Sequence, residues 1–135
     1  AHHYKKSNNV TFVQADLNTF DLEACDGIIL SDVLHYMLPE QQNSILERCF
    51  QALNSGGKLI IRDGIKELTE RHKGTIRTEK WSTGILKFNK TQNELHFLSR
   101  NDIEAWAKDK EMEFHFSDFT KKTSNVLMIM TKKAS

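Results

Sequence analysis

Hydrophobic and polar residues follow two different periodicities along this chain, and the two alternate. Short apolar runs typical of strands cover residues 10–15, 27–30 and 58–62. Between the last two runs, apolar side chains recur at helical spacing, at Ile45, Leu46, Cys49, Phe50 and Leu53. Strands that alternate with amphipathic helices are typical of an α/β sheet. The run 27–30 is apolar on both faces, which is typical of a central strand covered on both sides.

Local signals predict where the helix between these strands begins and ends. Pro39 is expected in its first turn, the helical position that proline tolerates best. The pair Gly56 and Gly57 is expected to stop the helix by supplying a left-handed cap. Residues 64–98 are less regular, and we expect a variable insertion there, over a substrate site, within a single domain that spans residues 1–135.

The last third of the chain predicts one more helix and two strands. Ser99, followed three residues later by Asp102, resembles a capping box, and it predicts a helix over residues 101–110. This helix is expected to bury Ile103, Trp106 and Ala107. The strands 113–119 and 126–130 are joined by a loop short enough for an antiparallel pair.

Composition narrows the class of protein. With 135 residues, 39% hydrophobic and 27% charged, the chain fits one globular domain rather than a disordered one. A net charge of +1 gives no field that favours nucleic acid or a membrane, and no apolar run approaches a membrane span. Cys25 and Cys49 are too few for a disulfide framework. His2 and His3 are expected to end a helix or form an arm, because no further Cys or His completes a metal-ligand set with them. We therefore expect a cytoplasmic protein without a metal.

Three motifs resemble parts of the class I S-adenosylmethionine-dependent methyltransferases. Residues 12–17, Phe-Val-Gln-Ala-Asp-Leu, resemble the third strand of that family's sheet. Residues 25–37 resemble its fourth strand and the following loop, and residues 50–61 resemble the Leu-x-x-Gly-Gly entry to its fifth strand. Together with the final antiparallel pair, the resemblance implies an incomplete Rossmann-like sheet, strands 3 to 7 of the family, flanked by helices.

The resemblance also implies a cofactor, S-adenosylmethionine, and a methyl-transfer activity. The family's glycine-rich cofactor loop has no counterpart in this sequence, nor has its acidic ribose ligand. We therefore expect the C-terminal portion of a methyltransferase domain, inactive alone. The alternative is a non-catalytic binding or dimerisation module on the same scaffold. Half of a nucleotide-dependent dehydrogenase is disfavoured by the antiparallel pair and by the lack of a Tyr-x-x-x-Lys motif.

The cofactor-binding candidates follow from the same motifs. Asp16 is expected to accept from the adenine amino group, and Leu17 to offer its amide and side chain to the same ring. A carboxylate at the carboxyl end of a strand can make such a contact, although a turn-forming role for Asp16 is the alternative. Ser31 and Asp32 are expected near the methionyl part of the cofactor, with ordinary loop polarity as the alternative.

Candidates for chemistry and for the acceptor lie close to these residues. His35 is the one plausible general base in the motifs, because imidazole exchanges a proton near neutrality. Methyl transfer often needs positioning more than a base, so a packing role for His35 stays open. The expected substrate pocket comprises Tyr36, Arg62, Asp63 and Trp81.

The charge of one segment and the absence of one motif indicate which classes of acceptor to expect. Residues 62–90 are basic with interleaved aromatic side chains, which suits an acidic, amphipathic or lipid-like small molecule, or else marks a solvated insertion. The loop after residue 30 lacks the Pro-Pro-Tyr sequence of enzymes that methylate nucleic-acid bases, so no nucleic acid is expected.

A partial sheet predicts an exposed edge. Without the family's first two strands, the strand at 27–31 loses a neighbour, and its backbone groups must pair elsewhere. We expect a second copy of the chain, as a homodimer, or a rearranged strand 10–15 to occupy this edge. The missing N-terminal half of the domain is the other candidate partner.

Overall fold

The computed structural model describes residues 2–6, 9–69, 95–118 and 125–134, with the backbone alone described for 2–6 and 69. Its strands are β1 (His2–Lys6), β2 (Thr11–Gln14), β3 (Cys25–Ser31), β4 (Leu53–Gly64), β5 (Glu113–Ser117) and β6 (Asn125–Thr131). Its helices are α1 (Pro39–Ala52), α2 (Lys66–Thr69) and α3 (Arg100–Asp109), with a short 3-10 helix at Leu34–Tyr36.

Four strands form the main sheet, in the order β3-β4-β6-β5. β3 and β4 are parallel, with Ile29 opposite Ile60, whereas β4 and β6 are antiparallel, with Ile60 opposite Ile129. β5 then adds to β6 in antiparallel fashion, with His115 opposite Ile129. The α/β class and the final antiparallel pair are therefore confirmed, as a partial Rossmann-like sheet. Strand β5 ends at Ser117, and residue 119 lies outside the described residues.

Helix α1 begins as predicted and ends earlier than predicted. Pro39 occupies its first turn, and its buried face carries Gln42, Ile45, Leu46, Cys49 and Ala52. The prediction that Gly56 and Gly57 stop the helix is wrong, because α1 ends at Ala52 and β4 starts at the next residue. Gly56 does adopt a left-handed conformation, with φ of +82°, but within β4. Gly57 is needed for space, since a Cβ there would lie 2.9 Å from the Asn54 carbonyl oxygen.

Helix α3 closes one side of the core. Its N-terminal cap is confirmed, because Ser99 Oγ accepts from the backbone N–H of Asp102 at 3.3 Å. Ile103 and Ala107 are buried as predicted, and Trp106 is half-buried against the same cluster. That cluster also takes in side chains from every strand of the main sheet, including Leu59, Ile61, Met128 and Met130.

The N-terminal strands form a separate hairpin. His2–Lys6 is a strand rather than a helix end or an arm, and it pairs with β2 in antiparallel fashion. The expectation that strand 10–15 moves onto strand 27–31 is therefore wrong. β2 finds its partner only four residues earlier in the sequence, where loop closure costs little entropy. In the described part of the chain β3 has one neighbour, β4, and its Ile29 side chain is 68% exposed.

The helices that the structure describes are all too short or too polar to cross a membrane. Most of the predicted insertion at 64–98 lies outside the described residues. Within it the structure describes residues 64–69, which include α2, and residues 95–98, and Ile65 bridges to Leu98.

Candidate functional site

Strands β3 and β4 run in parallel, so their carboxyl ends meet at one edge of the sheet. Asp32 extends this pairing by one step, because its backbone N–H donates to the Arg62 carbonyl oxygen at 2.8 Å. With φ of +56°, Asp32 then turns the chain out of the sheet and into the 3-10 helix that carries His35. The fold thereby brings together residues 31–36 and residues 62–63.

Asp63, the penultimate residue of β4, is fully buried and satisfied by three donors. Its Oδ1 lies 2.5 Å from His35 Nδ1 and accepts from the Gly64 N–H at 2.8 Å. Its Oδ2 accepts from the Leu34 N–H at 3.1 Å. Burial of a carboxylate is tolerated when its oxygens are hydrogen-bonded in this way.

The contact with Asp63 selects one form of the neutral His35 ring. Because the carboxylate is an acceptor, the proton of the imidazole resides on Nδ1, and Nε2 keeps its lone pair. In this neutral form Nε2 is the ring nitrogen with the available lone pair, and the orientation of the ring depends on a residue 28 positions away.

Two aromatic rings flank the imidazole. Phe97 stacks on it with centroids 5.4 Å apart and an interplanar angle of 20°. Tyr36 lies at 4.1 Å with a tilt of 43°. The His35 side chain is 12% exposed, whereas Tyr36 is 62% exposed. His35 is therefore held firmly, and Tyr36 presents an open aromatic face next to it.

The predicted residues Ser31, Asp32 and Arg62 form a polar group at the same edge. Arg62 Nη1 pairs with Asp32 Oδ2, and Ser31 Oγ contacts that oxygen at 3.4 Å. The two charged side chains are 41% and 44% exposed, so water screens their attraction. An exposed ion pair of this kind can exchange its partner for a charged ligand at small cost.

Asp16 follows β2 and shapes a tight turn. Its Oδ1 accepts from the Asn18 N–H at 2.9 Å, and its carbonyl oxygen accepts from Thr19 and Phe20. The turn-forming role is therefore real. The exposed Asp16 carboxylate can still accept further hydrogen bonds, because a carboxylate offers about four acceptor positions. Asp16 lies in a surface groove lined in part by Val13 and Phe20.

Arg48, which the sequence did not single out, fixes this turn to α1. Its Nη1 donates to the Leu17 carbonyl at 2.9 Å and to the Asn18 carbonyl at 3.4 Å, and its Nη2 donates to the Phe20 carbonyl. Leu17 itself is half-buried against the core. A helix arginine has no distinctive sequence pattern, because most such residues are solvated.

Two further residues near His35 were also missed, Gln42 and Phe97. Phe97 lies in the irregular stretch 64–98, where no periodicity marks a buried face. Gln42 is polar on the apolar face of α1, which by itself predicts nothing specific. The predicted pocket residue Trp81 lies outside the described residues, and Asp63 contacts His35 rather than open solvent.

Other reactive groups lie away from this edge. Burial raises the pKa of the Cys49 thiol to about 11, so it is no nucleophile near neutrality. Across the described ranges, no group of three His, Cys, Asp or Glu side chains is arranged to hold a metal ion.

Comparison with known proteins indicates the family of the chain. Residues 1–96 match the O-methyltransferase domain. A carboxy-S-adenosyl-L-methionine synthase of Vibrio parahaemolyticus is 30% identical over 124 residues, which cover 86% of this chain and 50% of the relative. The synthase of the same name from a Psychrobacter species is 32% identical over 74 residues, or 55% of this chain and 25% of the relative.

Solved structures agree with the fold. Human N-acetylserotonin methyltransferase, in complex with S-adenosylmethionine, superposes with a TM-score of 0.64 and 19% identity, covering 98% of this chain and 36% of that one. An O-methyltransferase family 2 protein from Planctomyces limnophilus, in complex with apigenin, gives 0.60 and 19% identity, covering 87% and 33%. The chain thus spans half or less of these curated relatives and about a third of these structures.

Proposed function

Because this chain belongs to the O-methyltransferase domain family, we propose that it forms the C-terminal part of an S-adenosylmethionine-dependent methyltransferase domain with His35 as general base. The observation that carries the proposal is the 2.5 Å contact between His35 Nδ1 and the buried carboxylate of Asp63, at the carboxyl edge of the sheet. Ligands of open α/β sheets bind at that edge.

The residues of this edge suit the parts of the cofactor that they would hold. Asp16 offers an exposed carboxylate to the adenine amino group, and the Leu17 backbone is held in place beside it by Arg48. Asp32 and Ser31 offer oxygen acceptors to the charged amino group of the methionyl part. When bound, S-adenosylmethionine supplies an electrophilic methyl group.

His35 performs the proton chemistry in this proposal. Its Nε2 lone pair accepts the proton of an acceptor hydroxyl as that oxygen becomes the nucleophile. Asp63 accepts the hydrogen bond from Nδ1–H and stabilises the imidazolium that forms when Nε2 takes up the proton. The stacked ring of Phe97 limits rotation of the imidazole, so the basic nitrogen keeps one direction.

The acceptor is proposed to be a small molecule or a lipid-like compound with a hydroxyl group. Tyr36 offers it an exposed ring beside His35, and Arg62 offers a positive charge if its pairing with Asp32 is exchanged. Trp81 stays part of the predicted pocket. The 135 residues alone are proposed to be inactive, because their sequence has no glycine-rich loop that supplies backbone amides to the cofactor.

A second candidate, a dimerisation module, is favoured by the edge of β3. This strand has one neighbour in the described part of the chain, and it carries an exposed Ile29. An unpaired strand edge is a template for another strand. A homodimer through β3 is compatible with a methyltransferase as well as with a non-catalytic dimerisation module.

The test of the proposed function is transfer of a labelled methyl group from S-adenosylmethionine, with the longest natural protein that contains these residues. The acceptors are a panel of phenols and of lipid head-group alcohols. His35→Gln is expected to lower the rate by roughly 10²–10⁴-fold, the usual contribution of a general base. His115→Gln, an exposed histidine on β5, is the matched control and should leave the rate unchanged. Equal rates for wild type and His35→Gln would rule out the base.

A further inference from the structure

One buried amide side chain lies beneath the turn that carries His35. Gln42 projects from the first half of α1 and is 7% exposed. Its Nε2 donates to the carbonyl oxygens of Leu34 at 2.7 Å and Met37 at 3.2 Å, on either side of His35. The same nitrogen donates to the carbonyl oxygen of His96 at 2.7 Å.

The chemistry of these three contacts assigns the amide without ambiguity. All three neighbours are carbonyl oxygens, so the nitrogen and not the oxygen of the amide faces them. Its two hydrogens serve the two short contacts, and the longer contact to Met37 shares one of them. A buried carbonyl oxygen without a hydrogen-bond donor is unfavourable. This single side chain supplies the donor for three such carbonyl oxygens.

Gln42 and Asp63 hold the backbone of the same residue, Leu34, from two sides. The N–H of Leu34 donates to Asp63 Oδ2, and the carbonyl oxygen of Leu34 accepts from Gln42. Leu34 directly precedes His35 and is fully buried. The backbone that aims the imidazole at Asp63 is therefore fixed at both ends of one residue.

Gln42 also holds the segment that carries the ring stacked on His35. The N–H of His96 donates to the His35 carbonyl at 2.8 Å, while the carbonyl of His96 accepts from Gln42. The next residue is Phe97, whose ring stacks on the imidazole. One amide thus joins three pieces of chain: α1, the His35 turn and the Phe97 segment.

We propose that Gln42 is a positioning residue, which holds the His35 imidazole with Nδ1 on Asp63 and so leaves the lone pair on Nε2. It acts through the backbone of Leu34 and His96, whose carbonyl oxygens accept from its amide. The catalytic meaning of this role rests on the proposed function of His35. The orientation of the ring is a property of the folded chain, and it is measurable without any substrate.

The test is the protonation form of the His35 ring, read from the ¹⁵N resonances of its two nitrogens at alkaline pH. His35→Gln identifies the signals by removing them. In the wild type, the Nδ1–H form should dominate. Gln42→Met keeps the length of the side chain and removes its donors, so the ratio of Nδ1–H to Nε2–H should fall by about fivefold, as for loss of one typical hydrogen bond.

The matched control is Cys49→Ala, on the same buried face of α1 and also in the core. It should lower the free energy of unfolding without changing the His35 ratio. A wild-type ratio in folded Gln42→Met, or an equal change in Cys49→Ala, would overturn the proposal. If Gln42→Met does not fold, Gln42→Asn replaces it. This side chain is too short to reach Leu34 and His96 together, and a wild-type ratio there would be equally decisive.

The result also separates this proposal from the proposed function. A changed ratio in Gln42→Met, combined with unchanged methyl transfer in His35→Gln, would support the positioning role and contradict the base. An unchanged ratio, combined with loss of transfer in His35→Gln, would leave the base in place without Gln42.

Discussion

Oδ1 of Asp63 and Nδ1 of His35 lie 2.5 Å apart, although 28 residues separate them in the sequence. The contact exists because β3 and β4 are parallel neighbours, so the residues that follow one strand meet the end of the other. A buried carboxylate next to an imidazole fixes which ring nitrogen carries the proton.

Asp63→Asn should lower methyl transfer by roughly 10²–10⁴-fold, because an amide no longer enforces the Nδ1–H form of His35. It should also lower the free energy of unfolding by about 1–3 kcal/mol, since the buried N–H donors of Leu34 and Gly64 lose a charged acceptor. Rates with the best acceptor and urea denaturation measure the two effects. Asp26→Asn, at the opposite end of β3, is the matched control. Transfer at the wild-type rate in Asp63→Asn would show that the contact has no catalytic role.

Glu67 should make stability depend on pH. Burial alone raises its pKa, but hydrogen bonds from the N–H groups of Arg100 and Asn101 and from Ser99 outweigh this effect, and the net pKa is lowered. Its stabilising contribution is therefore complete above the pKa of the unfolded chain, and it is lost as pH falls through the lower folded value.

Glu67→Gln measures that contribution. At neutral pH the substitution should lower the free energy of unfolding by about 0.5–1 kcal/mol, as expected for an exposed capping contact. The difference between wild type and variant should shrink on acidification below about pH 4. Urea denaturation across this range gives both values, with Glu104→Gln as the matched control on α3. A difference that grows as pH falls would reverse the predicted sign.

Arg48→Met should loosen the turn after Asp16, since three backbone carbonyls lose their donor. The amides of Thr19 and Phe20, which donate to the Asp16 carbonyl, should then exchange with deuterium roughly tenfold faster. Amides within β6 serve as internal reference and should not change. Unchanged exchange at Thr19 would mean that the turn is stable without Arg48.

The exposed edge of β3 should control association. Sedimentation equilibrium of the 135-residue chain is expected to show a homodimer, and Ile29→Lys should shift it toward monomer, because a charge at an edge strand disfavours pairing. Val10→Lys, on an exposed residue outside β3, is the control. A monomer at all concentrations would contradict pairing between copies.

Much of the fold was predictable because it depends on local pattern. A few neighbouring residues suffice to recognise the apolar face of α1, the proline at its start and the Ser99 cap. The end of α1 was not predictable in the same way. Gly56 and Gly57 are required by the bend and close packing inside β4. In the sequence, a glycine pair within a strand looks the same as one that ends a helix.

The parts of the site that the sequence missed depend on distant pairing. His35 and Asp63 were each noted as candidates, but their contact follows only from the register of β3 against β4. Gln42 serves a carbonyl 54 residues away, and no local signal encodes such a contact. The β1–β2 hairpin was missed since His2–Lys6 lacks the alternation of a half-buried strand.

The most direct test of cofactor binding at this edge is calorimetric titration of S-adenosylhomocysteine, the demethylated product, into the longest natural protein that contains these residues. Asp16→Ala should weaken binding by roughly 10–100-fold, the effect of losing a hydrogen bond to a charged group. Asp21→Ala, which removes an equal charge from the same groove, should weaken it little. Equal affinity for wild type and Asp16→Ala, or equal losses in the two variants, would contradict adenine binding at Asp16.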